Sequence, residues 1–321
     1  MAMKKVLQIL AASVGVSMAA AAFGGSPASG IQSVRSGTAH DALFSIAFDR
    51  DAGLAVGGAG EVLRSADAGK TWQEVTPTRT SLALLGVDLS HGRGIAVGQS
   101  GLILMMAADG RWSKAQSGST SRLLSVSINA SGLAVAVGAF GTILKSPDGG
   151  QTWSSIAPDW SSFAPDGAQP HLYGVTVDDG GVITLCGEFG LILRSTDGGK
   201  SWRTLHKGDA ALSAFDIRPD GVGYAVGQSA TILRTADHGE TWSELKVDSN
   251  ANFLGVSSAA NGQTVVTGMH YMLVSDDDGK SFHHVDDADI KTSWYQGIAR
   301  SGPDTPGYAV GHAGQIIKIG G

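Results

Sequence analysis

An all-β fold of seven four-stranded antiparallel blades, closed into a ring, is predicted by three signals that recur along the chain. The first is a turn of the form Ser/Thr-x-Asp-x-Gly-x-Thr/Ser followed by an aromatic residue. Its aromatics are Trp72, Trp153, Trp202, Trp242 and Phe282, and Trp112 marks a degraded copy, MMAADGRW. Successive aromatics lie 40, 41, 49, 40 and 40 residues apart. The second signal is a glycine ending an apolar run, at Gly57, Gly98, Gly138, Gly187, Gly227, Gly268 and Gly311. The third is a short run with a small third residue, starting at Leu43, Leu84, Leu123, Leu172, Leu212, Phe253 and Tyr295. A period near 40 residues that holds several short β-rich runs reads as a seven-bladed β-propeller, one blade per repeat.

Taken in order, the chain opens with Lys4 and Lys5, an apolar Ala-rich run from Val6 to Phe23, and then small residues. That is the pattern of a secretory signal peptide over residues 1–28, cleaved after Ala22 or Ala28; an uncleaved membrane anchor is the alternative, and the small-residue tail suits cleavage better. The protein is therefore expected to be exported. Without Lys4 and Lys5 there remain 21 basic against 29 acidic side chains, a balance of −8. Such a balance argues against a general binder of nucleic acid or anionic membranes. The single cysteine, Cys186, excludes a disulfide framework, a zinc–cysteine cluster and a lipid-bearing cysteine just after the signal. It occupies the slot that other repeats fill with Val56, Val97, Val137, Val226 and Val310, so it reads as a buried small apolar residue.

Within each repeat the strands follow in order. The innermost is the run with the small third residue, which suits a crowded channel wall. The second ends at the marker glycine, the third is the Ile-Leu-Arg type run, and the fourth starts at the turn aromatic. The Arg or Lys ending the third strand (Arg64, Lys145, Arg194, Arg234, Lys318) reads as a solvated face. The seventh repeat stops at Ile316-Ile317-Lys318 with no fourth strand. Residues 33–46 match residues 113–126, which run from a fourth strand into the next innermost one. Ile31 to Arg35 is therefore expected to pair with the C-terminal strand and close the ring, removing its open edges. The propeller then spans residues 31–321 as one unit. Its one insertion, eight to nine extra residues, lies in APDWSSFAPDGAQPH before Leu172.

The Gly-x-x-Gly-x-Ile-Leu-Arg-Ser-x-Asp-Gly-Gly-x-Thr-Trp units resemble the Asp-box, or bacterial neuraminidase repeat, propellers. In length, number and sequence style they are most similar to the photosystem II assembly and stability factor family of cyanobacteria and plastids, which has relatives in non-photosynthetic bacteria. The resemblance covers nearly the whole chain after the signal. It implies a non-catalytic protein without cofactors that binds protein subunits of an envelope or photosynthetic membrane complex. The implied location is the periplasm, or the thylakoid lumen in a photosynthetic host, and a monomer is expected. The chain departs from the family in lacking a lipid-attachment cysteine and a dense arginine cluster.

The Asp-box residues Asp67 and Trp72, Asp148 and Trp153, Asp197 and Trp202, Asp237 and Trp242, and Asp277 and Phe282 repeat with the fold, so they read as architecture. Sialidases and related glycoside hydrolases share the motif, and a carbohydrate-binding propeller is a further alternative. Glycoside hydrolysis needs paired carboxylates, or a Tyr–Glu pair with an Asp acid, across a cleft. The five glutamates are Glu61, Glu74, Glu188, Glu240 and Glu244. Only Glu188 stands out near the channel mouth, and the Phe/Tyr-Arg-Ile-Pro segment that sialidases share is missing. His283-His284 and Asp276-Asp277-Asp278 make no coherent ligand set, so no metal is expected.

What remains is a binding face, formed where the turns between strands two and three meet the links between blades. The turns carry Gln99, Phe140, Glu188, Phe189, Gln228, His270, Tyr271 and His312. The links carry Arg79, Arg122, Trp160, Phe163, His171, Asn252 and Trp294. Aromatic residues beside Arg and His are the composition of binding hot spots. Phe140 and Phe189 have the alternative role of plugging the channel or padding neighbouring blades.

Overall fold

The computed structural model describes residues 30–75 and 80–320, so the signal peptide expected over residues 1–28 lies outside the described residues. Seven four-stranded antiparallel sheets form a propeller. Blade 1 consists of Leu43–Asp49, Ala52–Gly57, Val62–Ser65 and Gln73–Val75. The innermost strands of blades 2 to 6 are Leu84–Ser90, Leu123–Ile128, Leu172–Val177, Leu212–Ile217 and Phe253–Ser258. Blade 7 consists of Tyr295–Arg300, Gly307–Gly311 and Ile316–Ile319, with Ile31–Arg35 as its outermost strand. The closing register places Ile31 opposite Ile319 and Ser33 opposite Ile317, as the match between residues 33–46 and 113–126 requires. Fourth strands are short, down to Ser154–Ser155 and His283–His284, and most start one residue after the turn aromatic. The insertion adds no strand; it forms 3-10 turns at Trp160–Ser162 and Pro165–Gly167. A short helix, Ala288–Thr292, not expected from the sequence, occupies the link into blade 7 and is capped by the Asp287 side chain.

The apolar cores lie between blades. Leu54, Val56 and Val62 of blade 1 pack on Leu84, Val87 and Leu104 of blade 2, and the same arrangement recurs around the ring. Blades 4 and 5 share the smallest such core: Cys186, Ile192, Leu212, Ala225 and Leu233. Burial pushes the Cys186 thiol up to about 12, so it stays protonated and unreactive.

Two further devices bind blade to blade. The innermost strand has a sheet neighbour on one side only, so its channel-side amides need other acceptors. Side chains of the preceding blade supply them. Ser45 Oγ accepts the Val87 N–H at 3.2 Å, Asp88 Oδ2 accepts Ile128 at 2.8 Å, and Asp216 Oδ2 accepts Ser258 at 2.7 Å. On the outer side, cations ending the third strands reach the next blade's turn. Lys145 Nζ donates to Gly198 O, Arg194 Nη2 to His238 O and Arg234 Nε to Asp278 O. This corrects the expectation of a solvated face for Lys145, Arg194 and Arg234, while Arg64 is exposed as expected. Arg194 is 8% exposed and also bonds Thr184 and Glu240, because the polar wedge between blades 4 and 5 needs a cation to satisfy it.

The Ser/Thr-x-Asp-x-Gly turns are wired alike. In blade 1, Asp67 Oδ1 accepts the Thr71 N–H and Oδ2 its hydroxyl, while Ser65 Oγ accepts the Gly69 N–H. Gly69 adopts φ +86, which a side chain resists. Trp72 Nε1 returns to Gly69 O, but Trp202 Nε1 bonds Ile156 O of the neighbouring blade.

A different glycine fixes the opposite face. The residue after each marker glycine donates its N–H to the carbonyl of the last link residue in all seven blades, for instance Ala139 to Arg122 at 2.9 Å and Gln99 to Ala83 at 3.0 Å. That carbonyl lies where a marker Cβ would go: 2.0 Å away at Gly138 and 1.9 Å at Gly311. Gly138→Ala is expected to cost about 3 kcal/mol or more, the range of severe steric substitutions, read as a lowered thermal midpoint.

Acid titration should show two opposing effects. Hydrogen bonds from the Thr or Ser four residues on, then from the turn's first residue, hold Asp67, Asp148, Asp237 and Asp277 at about 2, below the ordinary 3.8. Their contribution to stability is complete above 3.8 and is lost as pH falls toward 2. Burial instead raises Asp88 to about 6, so its charge costs stability above pH 6 and the cost fades as pH falls toward 3.8. Asp88→Asn should therefore raise the urea midpoint at pH 7 and leave it unchanged at pH 3, where both states of Asp88 are neutral.

Candidate channel-mouth binding face

Every innermost strand carries a β-bulge between its first and third residues, as at Leu43/Ser45 and Leu172/Gly174. A bulge re-aims the extra residue, here the second of the strand. Phe44, Leu85, Leu124, Tyr173, Ser213, Leu254 and Gln296 consequently line the upper channel, a cavity of about 190 Å³. Phe44 and Tyr173 were missed as site residues by sequence reasoning; their only signal was an aromatic in the slot that three repeats fill with Leu.

The structure gathers the expected residues unevenly. On blades 3 and 4, Phe140 stands 64% exposed at φ +55, and its ring lies 5.0 Å from the His171 ring. Glu188 Oε2 accepts the His171 N–H at 2.7 Å. Burial, then the charge and hydrogen bond of Glu188, raises the Tyr173 hydroxyl above its ordinary value. Arg122 is exposed on the same wall, and Phe189 is half-buried at φ +59 against the core of blades 3 and 4.

A second group sits on blades 6, 7 and 1. Trp294 stacks on Phe44 at 5.9 Å with 12° between the planes, and exposed His312 lies 6.4 Å from it. His270 is exposed at φ +57. Met269, 48% exposed, joins this group and was not singled out from the sequence. Gln99 is half-buried with Oε1 on the Ala83 N–H, whereas Gln228 is exposed.

Three expected members stand apart. Trp160 is 6% exposed, with its indole over Gly141 and Phe163 edge-on at 6.3 Å, so it pads the junction of blades 3 and 4. The insertion folds back onto the ring because only there can the indole be shed from water. The Tyr271 ring lies 4.4 Å from that of His284, tilted by 40°, toward the outer strand and away from the channel. Arg79 lies outside the described residues.

Among the described residues, no group of three or more His, Cys, Asp or Glu side chains could hold a metal ion. Glu61 is half-buried beside Arg35 at 2.9 Å, and burial raises its carboxyl despite that partner.

The fold defines a seven-bladed β-propeller with a variable channel-mouth face. No protein-family model matches the sequence, and no curated protein sequence matches it. Among solved structures, the chain is similar to YCF48 bound to D1 peptide: 19% identity, TM-score 0.72, covering 91% of this chain and 96% of that one. It is also similar to YCF48 from Cyanidioschyzon merolae, at 19% identity and TM-score 0.69, covering 91% and 98%. The GH74 xyloglucanase from Xanthomonas campestris matches at 13% identity and TM-score 0.68, covering 89% of this chain and 52% of the enzyme. Similarity at this level establishes the shared fold.

The neutral Gln99 makes the same bond to the link amide as Glu188 does, and Ser100 and Ser229 take the same left-handed turn position as Phe140. Glu188→Gln and Phe140→Ser should therefore leave the thermal midpoint within the small range of surface substitutions, about 0.5 kcal/mol.

Proposed function

We propose that this is an exported, non-catalytic propeller that binds protein subunits of a membrane-associated complex and assists its assembly. The carrying observation is that the turn-and-link face departs from the repeat pattern with Phe140, His171, Met269, Trp294 and His312, while on the other face five of the seven blades keep the same Asp-bearing turn. Exposed aromatic and Met side chains that the fold does not need are the chemistry of protein recognition. The fold shared with YCF48, one structure of which is titled as bound to D1 peptide, supports the same reading. So do the commitments of the two rim glutamates, Glu61 to Arg35 and Glu188 to the His171 amide. The partner complex belongs to the cell envelope, with the propeller in the periplasm, or to a photosynthetic membrane, with the propeller in the thylakoid lumen.

Crosslinking in intact envelopes, followed by mass spectrometry, tests the reading. Adducts to subunits of one membrane complex through Phe140- or His312-bearing peptides are expected, together with no turnover of fluorogenic glycosides. Recovery of no membrane or exported protein would sink the scaffold reading, and glycan-array binding would replace it with a carbohydrate-binding one.

A further inference from the structure

The seven repeats serve as controls for one another. Before the innermost strand, blades 1, 2 and 5 carry Ala42, Ala83 and Ala211, where blades 3, 4 and 7 carry Arg122, His171 and Trp294. On the adjoining turn, blades 2 and 5 carry Gln-Ser (Gln99-Ser100, Gln228-Ser229). Blade 3 places Phe140 there, blade 4 Glu188-Phe189 and blade 6 Met269-His270. Large side chains therefore stand as two walls, on blades 3–4 and on blades 6–7. The low stretches fall on blades 1–2 and on blade 5. In a ring of seven, the two walls face each other across the mouth, and so do the two gaps. The result is a lane across the channel.

The channel beneath this lane is amphipathic along its length. Its upper part is lined largely by Phe44, Leu85, Leu124, Tyr173 and Leu254, and its 190 Å³ corresponds to about six waters at roughly 30 Å³ each. A helix of about 10–12 Å diameter does not enter such a space, whereas one long side chain does. The small third residues, such as Gly174 and Gly255, form the waist. Below it a cavity of about 380 Å³ shares Ile46, Val175 and Phe215 with the upper one, so the two adjoin along the channel axis. The lower cavity is lined by Asp88 and Asp216 with one lining cation, Arg300, whose Nη1 and Nη2 are turned to Thr305 O and Gln263 Oε1; the charge of Arg218 also reaches Asp216 from outside the lining. Burial raises both carboxyls; Arg300 and Arg218 partly offset it at Asp216, whereas at Asp88 the charge of Asp49 adds to it.

We propose that the lane holds an extended polypeptide segment, running from blades 1–2 to blade 5, with apolar residues on the two walls and one Lys or Arg side chain let down into the channel. A basic side chain matches the sleeve: its apolar stem meets the Leu and aromatic ring, and its charged head points toward Asp88 and Asp216. This rests on the protein-binding reading above and specifies the partner's chemistry.

Selection of phage-displayed random twelve-residue peptides on the purified protein tests it. The enriched peptides should carry a Lys or Arg flanked on both sides by apolar residues. By fluorescence anisotropy with one such synthetic peptide, Phe140→Ser and Met269→Gln should each weaken binding about tenfold. Both substitutions write in a residue that blades 2 and 5 carry at the same position, so the fold tolerates them. Asp88→Asn keeps one of the two oxygens that accept the Ile128 and Leu89 amides, and paired with Asp216→Asn it should erase the preference for the Lys peptide over its Lys→Met version. Enrichment without a basic residue, or equal binding by the Phe140→Ser/Met269→Gln double variant, overturns the proposal. If no peptide is enriched while the crosslinked membrane partner still binds, the lane is wrong and the scaffold reading stands; loss of both removes both.

Discussion

One hydrogen bond, made seven times, organises the molecule: the N–H after each marker glycine donates to the carbonyl of the last link residue. It ties the turn within one blade to the entry into the same blade's innermost strand. The carbonyl approaches so closely that a Cβ at the marker position would overlap it. Glycine is required there for space, and the bond leaves the residues on either side of it free to vary. The β-bulge that follows then turns the second residue of each innermost strand into the channel. Turn, link and channel lining are thus one connected rim, and its side chains can change without disturbing the sheets.

The opposite face is built on a contrary principle. There the Asp carboxylates are saturated by their own turns, and the turn carbonyls are taken up by Lys145, Arg194 and Arg234 from the preceding blade. Little is left over for a partner. Between blades 4 and 5, where the apolar core is smallest, this polar strapping carries more of the contact, with Arg194 bonded to Thr184, Glu240 and His238 at once. The division between a committed face and an adaptable one follows from which backbone groups each face leaves unpaired.

Much of the fold was legible because its constraints are local and repeated. The marker glycines, the Asp-bearing turns and the slot holding Cys186 each answer to contacts within one or two strands, so the glycine recurs in all seven repeats, the intact turn in five, and a Val in five of the seven Cys186 slots. Even closure by Ile31–Arg35 could be read, since it uses the sequence of a fourth strand joined to a first. The misses have other causes. Arg194 read as solvated and is buried, Trp160 read as exposed and is buried, and Phe44 and Tyr173 passed unnoticed. For Arg194 and Trp160 the deciding neighbours belong to another blade, at a separation that periodicity does not encode. For Phe44 and Tyr173 the strand bulge re-aims the side chain off the alternating pattern.

The sequence by itself therefore determined the number of blades, the order of strands within them and the way the ring closes. These depend on hydrophobic alternation and on turns whose wiring is complete within a few residues. Only the tertiary structure decided which large side chains stand together. Blades 3 and 4 bring Phe140 to His171 across 31 residues, and ring closure sets Trp294 on Phe44 across 250. Such pairs form because seven wedges must pack around one axis, and the angle of that packing is a property of the whole ring.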